Sequence, residues 1–270
     1  MNVAFIGGGN MADALVGGLL QKGFRAQDLR VAEISQGQRE RLANKYGVAC
    51  FGTAQEAVRA EDVVVFAVKP QQLREAASGS GLERNRNLVI SIAAGVRLAS
   101  LSRWLGGHTR MVRAMPNTPA LIGEGIAGLC PLSPEVDERD RRDAETILGA
   151  VGATVWIEHE AQMDAVTAVS GSGPAYVYYF IEALQEAAGR LGLPAEVARR
   201  LALHTFTGAA RLAAGSAEPV PVLRERVTSR GGTTEAALAS MTADRVKEAI
   251  VRAILAANER GRQLGEQLDQ

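Results

Sequence analysis

Asn2-Val3-Ala4-Phe5-Ile6-Gly7-Gly8-Gly9-Asn10-Met11-Ala12 opens the chain with an apolar run and a glycine turn, after which Ala14, Leu15, Leu19 and Leu20 fall at helical spacing. Strand, glycine turn and helix, in that order, are the context a dinucleotide fingerprint needs, here Gly7-x-Gly9-x-x-Ala12. Gly7 permits the tight turn. Gly9 lets a pyrophosphate come close to the backbone where Asn10 and Met11 begin the helix, and Ala12 is small enough for that helix to lie on the strand. A tight strand-to-helix turn without a ligand would use the same residues, so the neighbouring segments have to decide.

They favour a nucleotide. Residues 28–33 read as a second strand that delivers Glu33 to the usual distance for meeting the adenosine ribose, where a carboxylate accepts from the hydroxyls and repels a 2′-phosphate. Glu33 therefore favours NADH, although a solvated strand end would also carry it. Arg39 and Arg41 follow, as partners for a 2′-phosphate or as a solvated helix face. Residues 62–70 read as a buried parallel strand stopped by Pro70, which puts the backbone of Ala67, Val68, Lys69 and Pro70 at the carboxyl end of the sheet, beside the cofactor. Residues 88–95 repeat the pattern and end in the small residues Ala93 and Ala94. Residues 110–115 lead into Pro116-Asn117-Thr118-Pro119, where Asn117 suits either the nicotinamide carboxamide or an ordered turn. Helices are expected over 100–105 and 135–148, and strands over 125–129 and 154–157.

Alternating strands and helices over residues 1–158 predict an α/β Rossmann-type NAD(P)-binding domain. Residues 159–270 predict an all-α domain for dimerisation and substrate binding, with helices over 175–191 and 194–214 and a last one from about 243 to 268. The first of these carries Tyr176, Phe180, Leu184 and Ala187, is apolar around much of its circumference and needs cover from a second subunit. Between the helices, Val227-Thr228-Ser229-Arg230-Gly231-Gly232-Thr233-Thr234-Glu235 forms a glycine turn into an alanine-rich helix. Such a helix start favours a small anion such as a carboxylate, and also suits an ordinary threonine N-cap.

Composition narrows the chemistry. Thirty basic and thirty acidic residues in 270 give no basic surface for nucleic acid. Cys50 and Cys130 share no metal-type spacing, so neither a metal site nor a disulfide framework is expected, and a reducing cytoplasm is. The opening apolar stretch contains Asp13 and lacks a basic flank, so neither a signal peptide nor a membrane span is expected. Only four lysines occur, none between Met163 and Met241, where His204 is the one histidine and sits in an apolar run. A hydroxy-acid reductase needs a proton-exchanging lysine or histidine there. A protonated carbon–nitrogen double bond already carries its proton, and a hydroxyl such as that of Thr234 is enough to orient it.

Five stretches resemble pyrroline-5-carboxylate reductase in that family's order and over nearly the whole chain: Gly7–Ala12, Ala67-Val68-Lys69-Pro70-Gln71, Met115-Pro116-Asn117-Thr118-Pro119, Ser170-Gly171-Ser172-Gly173-Pro174-Ala175-Tyr176 and residues 227–234. The resemblance implies reduction of 1-pyrroline-5-carboxylate to L-proline with NADPH or NADH, the last step of proline biosynthesis. It also implies an active site shared between the domains of a helix-swapped dimer, often assembled into a decamer. By motif, the N–H groups of Gly232, Thr233 and Thr234 hold the substrate carboxylate, the Thr234 hydroxyl meets the ring nitrogen, and Val227 and Thr228 line the pocket. Glu160 matches a substrate-facing position in some relatives, and serves equally as a helix-entry carboxylate. Arg230 stands where many members have proline or lysine, and Glu33 departs from the neutral or basic strand ending of NADPH-preferring members.

Overall fold

A computed structural model describes residues 1–60, 62–82 and 86–269. The chain forms two compact units, one of Met1–Ser172 with Ala257–Gln270 and the other of Gly173–Ala256. The first is built on an eight-stranded sheet: β1 Val3–Ile6, β2 Leu29–Ala32, β3 Ala49–Phe51, β4 Val63–Phe66, β5 Leu88–Ser91, β6 Met111–Met115, β7 Gly125–Pro131 and β8 Gly152–Trp156. Their order is β3-β2-β1-β4-β5-β6-β7-β8, and every neighbouring pair is parallel except β6 with β7. The reversal of order after β1 is the switch point of a doubly wound fold.

Strands β1 and β4 are apolar at every position because both faces of the sheet are covered. Val3 and Phe5 of β1, with Val63 and Val65 of β4, enter one core; Ala4 and Ile6, with Val64 and Phe66, enter the other. Helix α1 (Asn10–Gln21) adds Leu15, Val16 and Leu19 to the first core, and α2 (Gln36–Tyr46) adds Leu42. The four-residue helix α3 (Ala54–Ala57) follows β3, and neither β3 nor α3 was marked by any periodicity long enough to predict it. Helices α4 (Pro70–Ser78) and α5 (Leu98–Trp104) cover the second core, and α6 (Glu138–Leu148) returns to the first.

Strand β4 ends at Phe66, four residues before the proline expected to stop it. Pro70 instead begins α4, where its missing N–H costs nothing, and it holds Lys69 in the extended conformation required before proline. Ser170 and Gly171 close a π-helical turn, and Ser172 is a bend before the next helix starts at Gly173. Helix α7 (Met163–Val166) continues as a π-helical turn over Thr167–Gly171, then α8 (Gly173–Arg190) begins with Pro174 in its first turn. The second unit continues with α9 (Ala195–Ala214), α10 (Val220–Arg226), which the sequence reading did not anticipate, and α11 (Thr233–Ala243).

The last helix, α12 (Val246–Leu268), starts three residues later than expected. Helix α11 extends to Ala243, and Arg245 then turns the chain at φ 52°. The end of α12 is part of the first unit: Leu268 packs against the second core, and Asp269 takes a hydrogen bond from the Ser100 hydroxyl. Among the described residues, no helix is long and apolar enough to cross a membrane.

Candidate functional site: two glycine turns at helix starts

The first turn lies at the carboxyl end of β1. Gly7 has φ 102°, and its N–H donates to Ala32 O on β2 at 2.8 Å. A methyl group placed on it would stand 2.7 Å from Ala67 O and 2.9 Å from the Val68 side chain, so only glycine lets the turn lie against the end of β4. Two residues on, a Cβ at Gly9 would meet nothing within 4 Å. Gly9 is also the N-cap of α1 and gives it no side-chain cap, which leaves the first N–H groups of α1 facing open space. A wall behind and open amides in front fit a pyrophosphate.

The other expected cofactor residues surround that turn in different ways. Asn10 is exposed, Met11 half-buried and Ala12 fully buried against the sheet. Ala67 and Val68 form the wall, while Lys69 is exposed at the start of α4. Ala93 buries its side chain in the second core, so only its backbone is available, and Ala94 is half-buried beside it. Glu33, just past β2, accepts the Gly8 N–H at 2.8 Å through one oxygen and the Ser35 N–H at 2.8 Å through the other. Asn117 takes part in an ordered turn. Its Oδ1 accepts the Ile126 N–H at 2.9 Å and its Nδ2 donates to Ser170 O at 3.2 Å, tying the turn after β6 to the π-helical segment.

Glu160 is likewise engaged within the first unit. It accepts the Leu98 N–H at 2.7 Å and lies 3.1 Å from Arg113, whose guanidinium also faces Asp164. With the Arg113 side chain only 5 % exposed, the carboxylates compensate a buried charge at the start of α5. This geometry matches the helix-entry reading of Glu160.

The second turn lies in the other unit. Gly231 has φ 73°, and its N–H donates to the Glu235 carboxylate at 2.6 Å. Gly232 is the N-cap of α11, and its N–H turns back to Ser229 O at 3.0 Å. The first hydrogen bond of α11 runs from Ala236 N–H to Gly232 O, so the N–H groups of Thr233 and Thr234 have no partner within the helix. Of the three amides expected at a carboxylate, these two point away from the turn's own hydrogen bonding. Thr234 is half-buried and Thr233 exposed.

Val227 is 64 % exposed at the end of α10, while the Thr228 hydroxyl donates to Arg224 O at 2.7 Å. Thr228 lines a cavity of about 370 Å³ with Arg224, Glu225, Glu235, Leu238, Ala239 and Thr242. Sequence reasoning placed none of these other six at the site, and the last four lie along α11. Their spacing of three and four residues along α11 is the signal that groups them on one helix face.

Comparison with known proteins follows the same division. Residues 160–264 match the family model described as pyrroline-5-carboxylate reductase dimerisation, and residues 2–95 match NADP oxidoreductase coenzyme F420-dependent. The chain is 43 % identical to the pyrroline-5-carboxylate reductase of Pseudomonas aeruginosa, with 99 % of this chain and 98 % of that protein covered. Its structure is similar to a pyrroline-5-carboxylate reductase from Coxiella burnetii, with TM-score 0.91, 40 % identity and coverage of 97 % and 98 %. It is also similar to the Plasmodium falciparum pyrroline carboxylate reductase with NADP bound, with TM-score 0.86, 30 % identity and 98 % coverage of both chains.

Proposed function

The chain belongs to the pyrroline-5-carboxylate reductase family, and from that premise we propose how its two glycine turns divide the work of the reaction. The reaction is the NAD(P)H-dependent reduction of 1-pyrroline-5-carboxylate to L-proline, the last step of proline biosynthesis. In this reading the backbone around Gly7, Gly9, Asn10, Met11 and Ala12 binds the pyrophosphate, and Glu33 binds the adenosine ribose. Ala67–Pro70 and the backbone of Ala93 and Ala94 flank the nicotinamide half, with Asn117 holding the adjoining turn in shape. NAD(P)H, when bound, supplies the hydride that adds to the imine carbon.

The rest is done by the α11 turn. The Thr233 and Thr234 N–H groups, at the positive end of a helix, hold the substrate carboxylate, and Gly232 lets it approach the backbone. The Thr234 hydroxyl then orients the ring nitrogen, while Val227 and Thr228 shape the surrounding pocket. A protonated imine needs no strong acid from the protein in the hydride step, in keeping with a helical unit that contains no lysine from residue 173 to 246. Glu160 has support at the substrate only from the resemblance; its bonds to Arg113 and Leu98 favour a supporting role.

The helical domain self-associates as a dimer, matching the family model over residues 160–264. Assembly of dimers into a decamer is a further part of the proposal, as are the domain limits 1–158 and 159–270 and a cytoplasmic location. The two cysteines are unpaired, as a reducing compartment allows. The observation that carries the site assignment is the start of α11, which has no side-chain cap, at the half-buried residue Thr234. Replacing Thr234→Ala is expected to cost about 1–3 kcal/mol of transition-state stabilisation, with cofactor affinity retained. Unchanged kcat/KM for pyrroline-5-carboxylate would remove Thr234 from the mechanism.

A further inference from the structure

The adenosine end of the first turn holds a negative charge that is not at liberty to move. One Glu33 oxygen accepts the Gly8 N–H and the other the Ser35 N–H, each at 2.8 Å, while its backbone N–H is bonded to Phe51 O on β3 at 3.0 Å. Swinging the side chain aside would strip two main-chain donors of their acceptor. Ser35 is also the N-cap of α2, so the carboxylate already sits at that helix start, where an additional phosphate would look for amides.

Of the neighbouring cations, Arg41 is committed away from the Glu33 oxygens and Arg39 is held on the backbone beside them. Arg41 donates to the Asp13 carboxylate at 2.7 Å and to Gln38 at 2.9 Å. Arg39 is directed onto the carbonyls of Glu33 and Ile34, at 2.6 and 2.9 Å. Ile34, 82 % exposed between Glu33 and Ser35, offers no side-chain donor. Each Glu33 oxygen keeps a second lone pair for a ribose hydroxyl, whereas a 2′-phosphate would bring like charge against a fixed carboxylate.

Resting on the reductase reading above, we propose that Glu33 is the cofactor-specificity residue of this chain and makes it prefer NADH to NADPH. The test pairs binding with turnover. Calorimetric titration of the substrate-free protein with 5′-AMP and with adenosine 2′,5′-bisphosphate, which differ only by the 2′-phosphate, and kcat/KM on pyrroline-5-carboxylate with NADH and NADPH, are measured for wild type, Glu33→Gln and Glu33→Ser. Glu33→Gln keeps the shape and one acceptor, which guards against a loop that fails to form.

Wild type is expected to favour 5′-AMP and NADH by at least tenfold, and both variants to move each ratio tenfold or more toward the 2′-phosphorylated ligand. A wild type that favours the 2′-phosphorylated ligand, or ratios left unmoved in both variants, would overturn the assignment. Absence of turnover with either cofactor would sink the reductase reading instead, and the binding ratios would still decide the role of Glu33.

Discussion

The two glycine turns use the same local chemistry in opposite surroundings. Each has a glycine in the left-handed region, leads into a helix without a side-chain cap, and satisfies one turn amide with a glutamate: Glu33 for Gly8 and Glu235 for Gly231. At Gly7 a methyl group would run into Ala67 O, whereas at Gly231 it would meet nothing within 4 Å. The first turn is shaped by tertiary packing inside its own unit. The second is held by local hydrogen bonds, from the Gly231 N–H to Glu235 and from the Gly232 N–H to Ser229 O.

That difference repeats at the scale of the units. The sheet unit buries Phe5, Phe66, Leu15, Leu73 and Ile90 completely. Between Gly173 and Ala256 only Ile181, Ala198 and Ala202 are buried among the apolar side chains, while Tyr178, Tyr179, Leu201 and Leu255 are all more than half exposed. A helical unit with so little interior of its own gains its apolar burial from a partner, as a dimerisation domain does.

Charging the exposed aromatic face of the helical unit is expected to have the largest effect. Tyr178→Glu combined with Tyr179→Glu is expected to weaken dimerisation by about 3 kcal/mol or more, over a hundredfold in Kd. Sedimentation velocity would then show monomers that still bind NAD(P)H through the sheet unit. An intact dimer at micromolar concentration would mean that this face is not the interface.

A smaller contrast is expected between the turns themselves. Gly7→Ala adds the Ala67 collision to an unfavourable φ, and is expected to destabilise by about 3 kcal/mol while abolishing nucleotide binding. Gly231→Ala meets only the backbone penalty, about 1–2 kcal/mol. Urea unfolding of both variants checks this, and equal losses would contradict the asymmetry.

The smallest effect is expected from pH, at His108 in the sheet unit. Burial pushes the His108 imidazole below its ordinary value of 6.5, and the ring makes a 2.9 Å hydrogen bond with Asn87 O. A folded pKa below the unfolded one means that His108 contributes stability above about pH 6.5, lost as pH falls through the folded value. Tm should therefore decline from pH 7 to 5 with a shallower slope in His108→Gln than in wild type. Parallel slopes would show that His108 has no part in the acid sensitivity.

Much of the sheet unit was legible because its strands are buried on both faces and because the glycine fingerprint has a fixed place at the end of β1. The three-residue β3 and four-residue α3 were not legible, being shorter than any periodicity that could announce them. The alternatives at Asn117 and Glu160 stayed open in the sequence because an amide or a carboxylate serves a ligand and a buried neighbour with the same atoms. Their partners, Ser170 for one and Arg113 for the other, are distant along the chain and meet them only in the folded unit.

By itself, then, the order of residues determined the alternation of strands and helices, the two glycine turns and the family to which they belong, since all three are patterns of near neighbours. Tertiary structure alone decided that the Glu33 carboxylate is locked onto the Gly8 and Ser35 amides, that Asn117 braces a π-helical turn, and that the end of α12 joins the sheet unit. The physical reason is that a hydrogen bond's partner is chosen by which groups lose water together on folding, and spacing along the chain does not record that.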